Sequence, residues 1–360
     1  MSLSSDQLVY FGTGSSQIHF SRFNSEGKLT EPEAYTVGDS PTWLTANPIK
    51  DLLFLVSEEG GRLSSFNFHR SSGEVTKINE VPTFGGATCH CQLDATQTWL
   101  GVVNYLSGNY SLNLVNPDGS ITEPPVFAHQ NDVAGGIAHP HQIVFTPDNR
   151  FIFIPDLGLD QIMQYEFDAT NRTEPVKPNR YQPMLQIAKG AGPRHLAISP
   201  IDPNVFFGSN ELDSTLNVYV MNPSQGTLEL IQTVSTLLST FNGTNSVAEI
   251  VSSKCGRFVY VSNRGDDSIA KFRVSFDRDF NGDGTVTTNH PRVALESVVS
   301  CGGSWPRFIG FDLSYRYMFA TNQHSDNVAV FRVDTENGEL LLEYTVPIPC
   351  PQHAIFISNE

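Results

Sequence analysis

The chain has 360 residues, of which 39% are hydrophobic and 17% charged, and its formal net charge is −16. This acidic composition argues against a nucleic-acid-binding surface, which needs clustered Lys and Arg, and any anionic ligand must be attracted by a local cationic patch. No apolar run approaches the roughly 18 residues of a membrane-spanning helix, so we expect no membrane partner.

A repeated unit recurs from one end of the chain to the other. Each copy has three or four apolar residues, a small polar residue, a variable stretch and an apolar residue that opens a second strand. The residues that open these second strands are Ile18, Leu63, Tyr110, Ile162, Leu216, Ile269 and Val328. A period of about 50 residues made of short strands is typical of a β-propeller with one four-stranded blade per repeat. The sequence therefore predicts an all-β, seven-bladed propeller that occupies residues 1–360 as a single domain.

The two ends of the chain together make up one complete repeat unit. The C-terminal segment PQHAIFISNE, from Pro351, has the pattern of a first strand, but the chain stops before the second strand of that unit. The N-terminal segment QLVYFGTG supplies the missing strand. We therefore predict that the seventh blade is formed by both termini, which closes the ring and pairs an otherwise exposed sheet edge.

Aligning the seven units gives columns of residues, and each column should become a ring around the central channel. The first column, near the start of the innermost strand, is Thr42, Cys89, His141, Arg194, Ala248, Arg307 and Gln352. The second column is Trp43, His90, Gln142, His195, Glu249, Phe308 and His353. A column just after the second strand is Thr13, Glu58, Tyr105, Leu157, Glu211, Arg264 and Gln323. Polar groups that converge from several blades on one mouth are typical of a small-molecule site.

A column of Asn and Asp at the end of the second strand has a structural interpretation, because a repeated turn needs a repeated turn residue. The Arg and His residues do not recur in every blade, so the repeat does not explain them. We interpret Arg307, His195, Gln323 and His90 as candidate substrate-binding residues. Each histidine could equally be a buried core residue with satisfied hydrogen bonds.

The segment from Asp277 to Gly284 begins like a calcium-binding loop. Asp277, Asp279, Asn281 and Asp283 place oxygen ligands at alternate positions, and Gly282 permits a sharp turn. The acidic residue expected at the twelfth position is Thr288. Two interpretations remain open: a structural Ca²⁺ site and a solvated acidic turn.

Several segments resemble the seven-bladed lactonase propeller family, which includes the bacterial-type 6-phosphogluconolactonases and the fungal 3-carboxy-cis,cis-muconate cyclases. They are HPHQIVFTPD, GPRHLAISP, NELDSTLNVY, SNRGDDSIAKF and ATNQHSDNVAVF. The resemblance covers essentially the full chain and is strongest between His139 and Asp334. In the cyclase branch it implies a site of one His, two Arg and one Glu, which match His141, Arg194, Arg264 and Glu211 by motif.

The chemistry of these four residues is coherent with a reaction at a lactone carbonyl. Neutral imidazole can accept a proton near pH 7, and a guanidinium group can stabilise charge that develops on the carbonyl oxygen. A carboxylate beside two arginines would stay ionised and orient them. No GxSxG motif is present, so a covalent acyl-enzyme is not indicated.

The expected function is therefore hydrolysis of a phosphorylated sugar lactone, with a small anionic substrate and no cofactor required for catalysis. Two alternatives stay open: cyclisation of a carboxylated muconate, and a non-catalytic propeller that binds a protein partner. The polar N-terminus and the odd number of cysteines, five, favour a cytoplasmic protein with reduced thiols. We expect a monomer or a weak homo-oligomer.

Overall fold

The computed structural model of this protein describes residues 6–130, 137–280 and 286–359. Short apolar segments rich in β-branched and aromatic residues form its strands, as their fit to a pleated sheet predicts. The first three strands are β1 (Gln7–Thr13), β2 (Gln17–Phe23) and β3 (Glu33–Thr36). They form one sheet, and the chain then passes through six more sheets in sequence order.

The first two complete blades follow the repeat closely. Blade one consists of β4 (Pro41–Asn47), β5 (Leu52–Ser57), β6 (Arg62–Phe68) and β7 (Val75–Pro82). Blade two consists of β8 (Thr88–Leu93), β9 (Trp99–Asn104), β10 (Asn109–Leu114) and β11 (Phe127–Gln130). Neighbouring strands within each blade are antiparallel.

Blade three departs from the four-strand pattern at both of its edges. Its strands are β12 (Val144–Phe145), β13 (Phe151–Asp156), β14 (Gln161–Phe167), β15 (Val176–Pro178) and β16 (Met184–Gln186). The innermost strand, β12, has only two residues, and both β15 and β16 pair with β14. Two short strands therefore occupy the outermost position that one strand fills in the other blades.

The remaining strands complete the ring. Blade four is β17 (Pro193–Ile198), β18 (Val205–Asn210), β19 (Thr215–Asn222) and β20 (Thr227–Ser235). Blade five is β21 (Ser246–Ser252), β22 (Phe258–Arg264), β23 (Ser268–Phe280) and β24 (Val286–Ser300). Blade six is β25 (Pro306–Phe311), β26 (Tyr317–Asn322), β27 (Asn327–Val333) and β28 (Leu340–Pro347), and the last strand is β29 (Pro351–Ser358).

Strand β29 closes the ring as the sequence predicts. It pairs antiparallel with β1, from Gln7 opposite Ser358 to Thr13 opposite Pro351, and so becomes the innermost strand of the blade begun by β1–β3. The predicted seven-bladed propeller with a blade shared by the termini is confirmed. Hydrophobic clusters fill the spaces between adjacent blades; one of them joins Leu8 and Tyr10 to Leu53 and Phe66.

The Asn and Asp column makes structural hydrogen bonds of two kinds. In the first, which the turn interpretation predicts, the N–H of Leu159 in the turn after Asp156 donates to Asp156 Oδ1 at 3.1 Å. In the second, the partner lies before the blade. Asn104 donates from Nδ2 to the carbonyl of Thr83 at 3.1 Å, and Asn263 donates to the carbonyl of Thr236 at 3.1 Å. These acceptors lie in the segment that enters the same blade, not in the turn that follows the Asn. Each buried side chain therefore fastens the chain crossing between two blades to the blade it enters.

All five cysteines are free, and Cys89, Cys91 and Cys301 are buried. The described residues contain no helix that is long and apolar enough to span a membrane.

Ending the chain at Cys350, and so deleting β29, should abolish the cooperative unfolding transition. The deletion removes the ladder to β1 and the buried side chains of His353 and Ile357. Each large buried side chain contributes about 2–5 kcal/mol, against a total stability of about 5–15 kcal/mol for a typical protein. Calorimetry and near-UV circular dichroism measure the transition, with a chain ending at Ser358 as the matched control. A truncated chain that melts like the control would contradict this account of ring closure.

Candidate functional site

The first-column residues lie at β-bulges at the start of the innermost strands. In β17, Pro193 pairs with Asn210 and His195 pairs with Ser209, so Arg194 is the extra residue. The other strands that skip a residue in this way do so at Thr42, Cys89, Gln352 and Arg307, with a related shift around Ala248. A bulge breaks the alternation of side chains along the strand and redirects them. Consecutive residues, one from each of the first two columns, can therefore both face the channel.

Blade three places its first-column residue differently, because its innermost strand is short. Pro140 forms an isolated bridge with Asp156, and the N–H of His141 donates to the carbonyl of Pro155 at 3.0 Å. His141 therefore lies between that bridge and β12, on a segment without the regular ladder. Its side chain is buried at the channel.

Three of the four residues implied by the family resemblance form a buried ion-pair network at the mouth. Glu211 follows β18, and its Oε2 lies 3.0 Å from Nε of Arg194 and 2.8 Å from Nη2 of Arg264. Ser246 donates from Oγ to Glu211 Oε1 at 3.1 Å. Arg264 also donates from Nε to the carbonyl of Ser246 at 3.2 Å and lies over the Trp305 ring. Arg264 is thereby held by Ser246 of its own blade, by Glu211 of blade four and by Trp305, which directly precedes blade six.

Arg194 retains unused hydrogen-bonding capacity despite this ion pair. Its side chain is 2% exposed, yet neither its Nε nor its Nη1 atom has a hydrogen-bond acceptor within the described parts of the chain. The contact with Glu211 is close enough for an ion pair, but its geometry is not that of a hydrogen bond. Buried donors without acceptors are unfavourable in the free protein. Arg194 therefore keeps N–H groups whose hydrogen-bonding capacity is not used by the described residues.

Opposite charges in this network favour the charged forms of their partners. Burial alone would raise the pKa of Glu211, but Arg264 and then Arg194 outweigh it and hold that pKa below its ordinary value. Burial lowers the pKa of Arg264 to about 10, and Glu211 opposes the decrease. Glu211 and Arg264 are therefore charged at neutral pH.

The lowered pKa of Glu211 gives an expected pH dependence of stability. A carboxyl group whose pKa is lower in the folded state stabilises the protein above its unfolded-state pKa, and this contribution is lost as the pH falls through the folded-state pKa. Glu211→Gln should therefore destabilise the protein at pH 7 by about 3 kcal/mol, since it removes one partner of a buried pair. The difference between the wild type and the variant should begin to shrink below the ordinary Glu pKa, 4.5, and should disappear below the lowered folded-state pKa. Denaturant unfolding from pH 3 to 8 measures this, and a difference that does not depend on pH would contradict it.

His141 begins a hydrogen-bonded chain of three side chains from three successive blades. Its Nδ1 lies 3.1 Å from Nε2 of His195, and Nδ1 of His195 lies 3.0 Å from Oε1 of Glu249. His195 is 1% exposed and Glu249 is 4% exposed. Because Nδ1 of His141 is engaged, Nε2 is the ring nitrogen that can meet a ligand.

Burial dominates the electrostatics of this chain. It lowers the pKa of His141 and of His195 well below their ordinary values, and the nearby Arg194 acts in the same direction. Burial also raises the pKa of Glu249 to about 7, against the opposing effect of Arg194. Both imidazoles are therefore neutral at pH 7, as a general base must be.

Four other second-column residues, Trp43, His90, Phe308 and His353, form an aromatic cluster. The Trp43 ring lies 3.9 Å from the His353 ring and 4.4 Å from the His90 ring, measured between centroids. Phe308 contacts His353 from the other side, at 4.4 Å. His90 is 3% exposed and touches aromatic neighbours. The predicted contact of His90 with substrate stays a prediction.

Arg307 and Gln323 lie at the same mouth. Arg307 donates from Nη2 to Oε2 of Glu58 at 3.2 Å. Gln323 donates its backbone N–H to the carbonyl of Trp305 at 3.0 Å, and its side-chain Oε1 has no hydrogen-bond donor within residues 6–130, 137–280 and 286–359. The binding role of both residues stays a prediction.

The calcium hypothesis concerns a hairpin in blade five. Asp277 and Asp279 lie in β23, whereas Asn281 and Asp283 lie outside the described residues. We expect that Ca²⁺, if it binds this loop, releases measurable heat in titration calorimetry and raises the melting temperature relative to chelator-treated protein. Asp279→Asn is the variant that should weaken both effects. No heat and no shift would favour the solvated acidic turn.

Two residues of this site carry no assigned role in the sequence analysis. Glu249 is in the second column, two blades after His141, and only its hydrogen bond to His195 separates it from the other members of that column. Tyr105 follows β9, and its ring lies 5.6 Å from that of His141 and 4.3 Å from that of His139. In the sequence, both residues could be recognised only by their places in the aligned columns. Those places do not show which side chains of different blades are in contact.

Comparison with known proteins gives matches over nearly the whole chain. A family model described as lactonase, 7-bladed beta-propeller, matches residues 8–356. A 6-phosphogluconolactonase of Bacillus subtilis (strain 168) is 30% identical over 359 residues, which cover 96% of each chain. A 6-phosphogluconolactonase of Pectobacterium carotovorum is 28% identical over 343 residues, which cover 94% of this chain and 96% of the relative. Among solved structures, the periplasmic gluconolactonase of Pseudomonas aeruginosa has a TM-score of 0.87 at 26% identity and covers 99% of this chain and 100% of that one.

Proposed function

The chain belongs to the seven-bladed lactonase propeller family, and on that premise we propose that it hydrolyses a phosphorylated sugar lactone at the channel mouth. The observation that carries the proposal is the arrangement of Arg194, Glu211 and Arg264 as one ion-pair network at the mouth that also holds His141. Relatives at 28–30% identity over nearly the full chain are named 6-phosphogluconolactonases.

His141 is the proposed general base. Its Nε2 atom takes a proton from a water molecule as the water oxygen forms a bond to the lactone carbonyl carbon. The carbonyl oxygen becomes an oxyanion, which the buried N–H groups of Arg194 stabilise. When the ring C–O bond breaks, the protonated His141 returns its proton to the departing ring oxygen. The products are a hydroxyl group and a carboxylic acid, which ionises in solution.

Three guanidinium groups near one mouth suit an anionic substrate. Arg194, Arg264 and Arg307 place three positive charges at the mouth, opposed by the carboxylates of Glu211 and Glu58 and, when it is ionised, by that of Glu249. This concentration of guanidinium groups contrasts with the net charge of −16 for the chain. Arg264 and Arg307 are proposed to bind the phosphate, because a guanidinium fork matches its oxygens. Glu211 orients Arg194 and Arg264 and takes no proton in this scheme.

A pH-stat assay tests the proposal by recording acid release from 6-phosphogluconolactone and from unphosphorylated gluconolactone. In parallel it records acid uptake with 3-carboxymuconate, because cyclisation converts a carboxylate to an ester as carbon gains a proton. We expect the phosphorylated lactone to have the highest kcat/KM, and the spontaneous rate is subtracted with buffer and with His141→Ala protein. Equal rates for both lactones would overturn the assignment of the phosphate. Consumption of the muconate alone would support the cyclase alternative, and no turnover of any compound would support a non-catalytic binding protein.

A further inference from the structure

The third member of the buried chain, Glu249, has no part in the reaction scheme above. It lies in β21, and its Oε1 accepts both from the ring of His195 and from the N–H of Ile250 at 3.0 Å. Its Oε2 is buried with no hydrogen-bond donor in the part of the chain that the structure describes. A buried carboxyl group without full hydrogen bonding is unfavourable. Neither the backbone pairing of β21 nor the packing of the hydrophobic core therefore explains the Glu249 carboxyl group.

We propose that Glu249 is a positioning residue that sets, through His195, which nitrogen of His141 carries the proton. The proposal rests on the proposed function only in its consequence for rate, because the hydrogen-bonded chain itself is a feature of the fold. When Glu249 is ionised, its carboxylate can only accept, so His195 must carry its proton on Nδ1. Nε2 of His195 is then an acceptor.

The tautomer of His195 in turn determines that of His141. Because Nε2 of His195 accepts, His141 must donate from Nδ1 across the 3.1 Å contact, and its Nε2 is left with a lone pair. That is the form a general base needs. A protonated Glu249 removes this constraint, since it can donate to Nδ1 of His195. The order along the chain can then reverse, and Nε2 of His141 would carry a proton.

The surroundings of Glu249 place this switch near neutral pH. The charged and titratable groups that influence it are Arg194 and His195 from β17 and His353 from β29. Burial raises the pKa of Glu249 to about 7, while Arg194 and His353 oppose the rise. The ionised fraction therefore increases from pH 6 to 8. His141 does not supply this titration, because its own pKa lies well below the ordinary value.

The first test reads the tautomer of His141 without any substrate. Ring ¹⁵N chemical shifts of histidine-labelled protein distinguish protonated from unprotonated nitrogens, and His141→Gln and His195→Gln identify the two signals. We expect His141 at pH 8.5 to carry its proton on Nδ1, and this population should decrease toward pH 6. In Glu249→Gln the dependence on pH should disappear. A wild-type His141 that is protonated on Nε2 at pH 8.5 would overturn the proposal, and that observation does not depend on whether Glu249→Gln folds.

The second test uses the pH profile of lactone hydrolysis. We expect kcat/KM of the wild type to rise with pH through a limb at about 7. Glu249→Gln should lose that limb and lower kcat at pH 8 by about 10- to 100-fold, with KM little changed. Glu58→Gln removes a carboxylate at the same mouth and should keep the limb. A limb retained in Glu249→Gln would overturn the link to catalysis.

The two tests separate this inference from the proposed function. A protein that shows the tautomer switch but hydrolyses no lactone would refute the function and leave the role of Glu249 intact. A protein that hydrolyses lactone but shows no tautomer switch would support the proposed function and refute the role of Glu249. Thermal unfolding of Glu249→Gln ensures that a lost limb is measured on folded protein.

Discussion

Replacing His141 with alanine should lower kcat for lactone hydrolysis by about 10²- to 10⁴-fold, the usual contribution of a positioned acid or base. Loss of the imidazole removes the acceptor for the proton of the attacking water and the donor for the departing ring oxygen. KM should change little, because the arginines that bind the anionic group are unaffected. Initial rates over a range of lactone concentrations, corrected for spontaneous hydrolysis, measure both constants.

The matched control for His141→Ala is a buried structural residue near the same end of a strand. Asn322 donates from Nδ2 to the carbonyl of Cys301 at 3.1 Å, and we give it no role in the reaction. Asn322→Ser should therefore lower the melting temperature and leave kcat close to that of the wild type. If His141→Ala kept near wild-type kcat, the assignment of the base would be wrong. Glu211 would then be the acceptor to test, because it is a carboxylate at the same mouth.

Replacing Arg194 with alanine should lower kcat by about 10²- to 10³-fold, as removal of an oxyanion-stabilising donor does in other enzymes. The variant should still fold, because Glu211 keeps its 2.8 Å ion pair with Arg264 and is not left as an unpaired buried charge. Arg194→Lys should also be impaired, because an ammonium group cannot occupy both the Glu211 contact and the oxyanion position. Steady-state rates of the two variants test this directly.

Chemical rescue makes the role of Arg194 more specific. Guanidinium ion added at concentrations below those that unfold the protein should partly restore kcat in Arg194→Ala, since it can enter the space left by the side chain. It should not restore His141→Ala. If Arg194→Ala raised KM and left kcat unchanged, the residue would bind the substrate without stabilising the transition state.

The family resemblance identified the four central residues, and the structure shows why a sequence alone could not give their arrangement. Arg194 is in β17 and Glu211 directly follows β18, the strand that pairs with β17 in blade four, so their proximity follows from that pairing. Arg264 belongs to the next blade and reaches Glu211 only because the two blades pack side by side. The bulge at Arg194 is likewise a property of strand pairing and has no signature in the residue types.

The sequence by itself determined the number of blades, the closure of the ring by the two termini and the residues that break the repeat. These follow from a period of about 50 residues, because side-chain alternation and turn chemistry are local. Only the tertiary structure decided that His141, His195 and Glu249 form one hydrogen-bonded chain while His90 and His353 stack on Trp43. The reason is physical: a hydrogen bond depends on distances of about 3 Å, and across the channel those distances are set by how three blades pack together, which no local pattern records.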